Sequence, residues 1–137
     1  MHSFVSCLMH CVFSTKERRR LITPDLEARL YPYLGCIARE NKMKTLSIGG
    51  VEDHIHMLLS IPPTVPSAKA VQLLKRKFGA FQWQEGYGAF STSKSGVKAT
   101  MRYIESQKDH HQRRSFKDEL IAFLDKNGIR YEAWMLD

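Results

Sequence analysis

The chain has 137 residues, room for one compact domain over 1–137 and little else. A hydrophobic share of 43% with 26% charged residues excludes a disordered or low-complexity chain. Lysine and arginine outnumber acidic residues by 21 to 14, a formal charge of +7, so a polyanionic partner fits on electrostatic grounds.

Residues 3 to 14, SFVSCLMHCVFS, are rich in β-branched, aromatic and other apolar types and read as a buried strand. Thr23-Pro24-Asp25 then opens a helix, with Thr23 as N-cap and Pro24 at the first helical position. Leu26, Leu30, Tyr33, Leu34 and Ile37 form its apolar stripe, and the helix runs to about Asn41. KTLSIGGVED reads as a strand broken by Gly49-Gly50, and HIHMLLSIP as a second strand ended by Pro62-Pro63, so the two suggest a hairpin. Gly49-Gly50 fits either its turn or a bulge. Ser67 can cap a helix carrying Val71, Leu74, Phe78 and Phe81, with Lys75, Arg76 and Lys77 mostly off the apolar face. A short strand follows around Gly88 to Thr92; Ser95 caps a helix through Tyr103, Ile104 and Gln107; Ser115 caps the last helix, which Gly128 closes. The order β-α-β-β-α-β is that of an α+β, ferredoxin-like split βαβ: an antiparallel sheet with helices on one face and an appended C-terminal tyrosine-bearing helix.

Cys7, Cys11 and Cys36 form no CxxC pair, and their odd number fits reduced thiols in a cytoplasmic setting. No apolar stretch approaches the roughly 18 to 20 residues that span a bilayer, and no basic leader with a long apolar core opens the chain. Basic residues cluster at 16 to 20, 75 to 77 and 112 to 114, as phosphate-contacting patches or as solvated faces would.

On a strand, residues i and i+2 share a face, so His54 and His56 project side by side while Ile55 and Met57 point away. That spacing suits two ligands of one metal ion and equally a solvated pair. Tyr103 and Gln107, four apart on a helix, present a phenol and an amide together, or are simply a core aromatic and a surface amide.

His54-Ile55-His56 before an apolar run into prolines, then a basic helix, then Tyr-x-x-x-Gln, resembles the HUH single-tyrosine (Y1, IS200-like) transposases of small bacterial insertion sequences and their REP-associated relatives. The resemblance covers nearly the whole chain, through HCVFSTKERRR, HIHMLLSIPP, GYGAFSTS and RYIESQ. It implies that His54, His56 and Gln107 hold a divalent metal, Mg²⁺ or Mn²⁺, and that Tyr103 is the nucleophile of a single-stranded DNA transposase working through a covalent 5′-phosphotyrosine. Such enzymes act as homodimers on DNA with a hairpin at the element ends, and EGYGAFSTSKSG is a candidate flexible connection for exchange of the tyrosine helix. Arg18, Arg19, Arg20, Lys75, Arg76 and Lys77 are the candidate DNA-backbone contacts, with Trp83 and Tyr87 as stacking platforms or core residues. Asp53 is expected to point away from His54; His10 to be a structural histidine beside the site; His110-His111 to be solvated or DNA-facing.

Two other readings use the same residues. In a zinc hydrolase or lyase, His10, His110 or His111 would join the HxH pair and Tyr103 would be dispensable. In a non-catalytic ferredoxin-like binder of single-stranded nucleic acid, the strand would be bound and never cleaved.

Overall fold

The computed structural model describes residues 2, 5–76, 78 and 81–136. Strands β1 (Leu8–Ser14), β2 (Lys44–Gly50), β3 (His54–Ser60) and β4 (Gly88–Ser91) form one sheet of order β2-β3-β1-β4, with every neighbouring pair antiparallel. Helix α1 (Pro24–Glu40) joins β1 to β2, and α2 (Ser67–Leu74) joins β3 to β4. The expected split βαβ order is therefore present, and α3 (Val97–Glu105), α4 (Gln107–His110) and α5 (Phe116–Lys126) follow it.

The central strands β1 and β3 are buried along almost their whole length because both sheet faces are covered. Met9, Cys11, Phe13, Ile55, Met57 and Leu59 point to one face and pack with Leu30, Leu34 and Ile37 of α1 and Ala70, Val71 and Leu74 of α2. The other face carries Val12 and Phe90, which pack with Phe116, Leu120, Phe123 and Leu124 of α5. His10, His54 and His56 share this second face by the two-residue alternation. The tyrosine and C-terminal helices thus roof the histidines.

Several local expectations are corrected. β1 begins at Leu8, with residues 3 and 4 outside the described residues. Gly49 and Gly50 are paired strand residues opposite His56 and Ile55; the turn is made by 51–53, and the register shift lies between Thr45 and Ser47. Ser67 is the first residue of α2, with no side-chain cap at Pro66, and the helix stops at Leu74. Phe78 and Phe81 lie beyond it and pair with each other through an isolated bridge. Ser93, not Ser95, caps the turn into α3 by accepting the Gly96 N–H at 3.1 Å. The helix that was to carry Tyr103 through Gln107 breaks at Ser106 (φ −104°, ψ 24°), whose hydroxyl donates back to the Arg102 carbonyl at 2.6 Å. Much of EGYGAFSTSKSG is strand β4 and the Ser93-capped turn, not a free connection. Thr23 and Ser115 cap α1 and α5 as expected.

Candidate functional site

His54 and His56 sit at the start of β3, opposite Ser14 and Val12 of β1, and both are fully buried. Each ring is held from its Nδ1 side. His54 Nδ1 donates to Asp53 Oδ1 at 2.7 Å, and His56 Nδ1 lies 2.8 Å from His10 Nε2. Asp53 was expected on the opposite face; it precedes the strand, in the bend at 52–53, so strand alternation does not govern it. His10 takes the expected place beside the site, diagonal to His56 across β1 and β3.

The Nε2 atoms of both histidines face a residue that sequence reasoning missed, Glu119 of α5, which is 1% exposed. Its Oε1 is 2.8 Å from His56 Nε2 and 3.2 Å from His54 Nε2. Its Oε2 accepts a short hydrogen bond from the Tyr103 hydroxyl and lies 3.1 Å from His111 Nε2. The signal was present in the sequence: Phe116, Glu119, Leu120 and Phe123 occupy one helical face, so Glu119 is a carboxylate in an apolar stripe. His111, expected at the surface, turns its ring inward to 4.5 Å from that of His54, and its Nδ1 donates to the Arg114 carbonyl at 2.6 Å. His110 is exposed and leans on the Tyr103 ring at 4.7 Å.

Gln107 is also buried; its Oε1 is 3.2 Å from His54 Nε2 and its amide donates to the Tyr103 carbonyl at 3.3 Å. Tyr103, Gln107 and the two histidines therefore meet within one chain. Phe116 completes the pocket by stacking on His54 at 4.3 Å and 20°.

The electrostatics follow from burying one carboxylate among imidazoles. Burial alone would raise the Glu119 pKa, but the neighbouring imidazoles of His111, His54 and His56 hold it far below the usual carboxylate range. Burial would lower His54, yet Asp53 and Glu119 outweigh it and the net shift is upward. For His56 burial wins over Glu119 and the shift is downward. Burial, reinforced by the neighbouring His56, pushes His10 down to about 3, so it is neutral. Burial and the Glu119 carboxylate raise Tyr103 above its ordinary phenol value.

Two clefts open on either side of this centre. One, about 290 Å³, is lined by Tyr103, Thr100, His10, Glu119, Arg114 and Lys126. The other, about 560 Å³, includes Asp53, His111, Arg20, Lys108 and Arg114. Of the expected DNA contacts, Arg18 lies 5.3 Å over the Phe116 ring, while the exposed Arg19 and Arg20 approach Glu17 (2.8 Å) and Glu52 (3.8 Å). Lys75 donates to the carbonyls of Gln84 (2.6 Å) and Gly86 (2.9 Å). Arg76 is exposed, and Lys77 lies outside the described residues. Trp83 packs edge-on against Phe13 and Phe81, a core role, whereas Tyr87 is 45% exposed.

The donors suit a divalent cation. One ligand atom each from His54, His56, His111 and Glu119 lies within 4.8 Å of the others. His111 Nε2 is buried without a well-aligned hydrogen-bond partner among the described residues and faces this group. Nitrogen and carboxylate donors held from behind, as Asp53 and His10 hold the two strand histidines, are the usual setting of such a centre.

A split βαβ sheet with paired histidines on a central strand, and a tyrosine set against them by an added helix, defines an α+β protein with a metal-ready centre beside a phenol. The chain belongs to the IS200-like transposase family: a sequence model described as "Transposase IS200 like" matches residues 3–80, from β1 through α2 and including both histidines. It is 26% identical over 116 residues to the ISDra2 transposase TnpA of Deinococcus radiodurans, covering 73% of this chain and 83% of that protein. A transposase for insertion sequence element IS200 from Salmonella typhimurium is 27% identical over 84 residues, 61% of this chain; the match spans 55% of that relative's length. The fold matches a crystal structure of a proposed transposase from Deinococcus radiodurans (TM-score 0.61, 20% identity, 78% of this chain and 95% of that one). It also matches a REP-associated tyrosine transposase bound to a REP hairpin (TM-score 0.58, 11% identity, 76% of this chain and 68% of that one). Among the described residues, no helix is long and apolar enough to cross a membrane.

Proposed function

We propose that this chain is a metal-dependent single-stranded DNA transposase that cleaves and rejoins DNA through a 5′-phosphotyrosine on Tyr103. The observation that carries the reading is the convergence of the Tyr103 hydroxyl, His54, His56 and Gln107 on one buried centre beside a cleft with Arg114 and Lys126 on its walls. His54 and His56, with Gln107 as third ligand, would hold Mg²⁺ or Mn²⁺. Bound there, the ion supplies charge stabilisation to the scissile phosphate.

The residues of the chain do the rest. Arg114 and Lys126 bring the phosphate into the cleft, and α3 presents the phenol from the side. The Tyr103 oxygen forms a bond to phosphorus as the bond to the 3′ oxygen breaks; the phenol gives up one proton and the departing oxygen takes one up. The products are a phosphotyrosine and a free 3′-hydroxyl, so the bond energy is kept for rejoining and no nucleotide cofactor is needed. With Glu119 beside it the phenol is held protonated, a resting arrangement. A phosphate and its cation in the cleft change the local field that sets this state.

The proposed substrate is single-stranded DNA carrying a hairpin, by likeness to the relative bound to a REP hairpin. Arg18, Arg19, Arg20, Lys75, Arg76 and Lys77 are the candidate backbone contacts and Tyr87 a candidate stacking platform. A homodimer in the cytoplasm is the proposed working form.

The test is incubation with labelled hairpin DNA and Mn²⁺ or Mg²⁺, followed by denaturing electrophoresis. A covalent adduct that disappears in both Tyr103→Phe and His54→Ala is the expected outcome. DNA bound but never joined, with either ion, would favour a binding module. An adduct that survives Tyr103→Phe would remove Tyr103 from the role.

A further inference from the structure

Resting on the metal-dependent reading above, we propose that Glu119 is itself a direct ligand of the divalent ion, on the Nε2 side of His54 and His56. The same carboxylate would tie the nucleophile to that ion. Glu119 comes from α5, outside both the paired histidines and the tyrosine helix.

Three observations converge. First, the proton positions of two rings are fixed by acceptors that cannot donate. His54 Nδ1 faces the Asp53 carboxylate at 2.7 Å and His111 Nδ1 faces the Arg114 carbonyl at 2.6 Å, so both Nδ1 atoms carry protons. Their Nε2 atoms then face oxygens alone: Glu119 Oε1 and Gln107 Oε1 at 3.2 Å for His54, and Glu119 Oε2 at 3.1 Å for His111. In its neutral form each ring turns the Nε2 lone pair toward these oxygens, and a cation seated between them satisfies both sides in place of a second ring proton.

Second, the buried carboxylate is met, among the described residues, by three imidazoles and one phenol. The imidazoles compensate this carboxylate in the metal-free protein only by holding extra protons; a divalent ion among neutral rings supplies the same positive charge directly. Third, the geometry is shared correctly. Glu119 Oε1 faces both strand histidines, at 2.8 and 3.2 Å, whereas Gln107 hydrogen-bonds His54. A cation that draws the facing Nε2 atoms of both histidines therefore meets Glu119 Oε1 first.

The chemistry gains from this assignment. The two imidazoles lean toward softer ions and the amide oxygen is neutral; a carboxylate adds the hard, anionic oxygen that Mg²⁺ and Mn²⁺ favour. Oε2 remains to accept the Tyr103 hydroxyl, so Glu119 sets the distance between nucleophile and ion. In that second capacity it is a positioning residue, and α5 becomes part of the metal centre.

The experiment is a Mn²⁺ titration of the full chain by calorimetry, comparing wild type, Glu119→Gln and Gln107→Met, paired with crystals of the wild type grown in Mn²⁺. A loss of at least about ten-fold in Mn²⁺ affinity in Glu119→Gln, larger than that in Gln107→Met, is expected. An anomalous peak roughly 2.0–2.3 Å from a Glu119 oxygen is expected in the crystal, which needs no variant to fold. Unchanged or tighter binding in Glu119→Gln, or an ion on His54, His56 and Gln107 with Glu119 turned away, would overturn the assignment and leave the metal-dependent reading intact. A wild type that binds no Mn²⁺ would overturn both.

Discussion

His10 shows how burial beside the histidine pair sets the charge of a residue. Its ring faces His56, Glu119 and Lys126, and burial leaves it neutral with a pKa near 3. A histidine with a lowered folded-state pKa contributes stability that is complete above its unfolded value of about 6.5 and is lost as pH falls toward the folded value. His56 is shifted the same way, while the raised His54 contributes a constant amount below about pH 6.5. The metal-free protein should therefore lose stability on going from pH 6.5 to 5, by about 1.4 kcal/mol per pH unit from His10, with His56 adding in the same direction. Denaturant melts across that range should show the fall, and His10→Asn should flatten it; an unaltered slope in the variant would contradict the assignment. At this scale the HxH pair, Tyr103 and Gln107 could be read from spacing and resemblance. Asp53, His111 and Glu119 were missed, for separate reasons. Asp53 sits in a turn where alternation does not apply, His111 is turned inward by a backbone carbonyl, and Glu119 was hidden in a helix read only for its caps.

Helix α3 reaches the histidines because β2 lets it approach. A Cβ at Gly49 would stand 2.1 Å from the Ile104 carbonyl oxygen, so the absence of a side chain there is what seats the tyrosine helix against the strand beside His56. Gly49→Ala must push α3 outward, with an expected cost of about 1–3 kcal/mol and a loss of strand cleavage greater than the loss of folded protein. Gly35→Ala in α1 is the matched control: nothing lies within 4 Å, and a helical alanine should be neutral or stabilising by up to about 1 kcal/mol. Thermal melts of the two variants beside the adduct assay decide it; equal behaviour would contradict the close-approach account. Helix starts at Thr23 and Ser115 were legible because their hydroxyls do what N-caps do. The ends of α2 and α3 were not, since Lys75 turns to the carbonyls of Gln84 and Gly86 and Ser106 bonds back to Arg102, neither of which leaves a periodic signal.

Over the whole molecule, the sheet divides the work between its faces. One face is an apolar core against α1 and α2 that fixes β3; the other gives the exposed surface over to α3, α4 and α5, which carry the phenol, the amide and the carboxylate. The ferredoxin-like order was legible because each element has its own period and boundary, while the packing of α5 onto the histidine face depends on tertiary contacts between Phe116, Phe123 and the imidazoles. A net charge of +7 favours a polyanion such as DNA, and in the proposed function the two clefts beside Arg114 receive it. The central claim is that Tyr103 carries the DNA, and peptide mapping of the covalent adduct tests it most directly. After nuclease trimming and trypsin digestion, the account predicts a nucleotide-bearing peptide 103–108 with the phosphate on Tyr103. A modified peptide elsewhere, or hairpin DNA cleaved with no peptide modified, would contradict it.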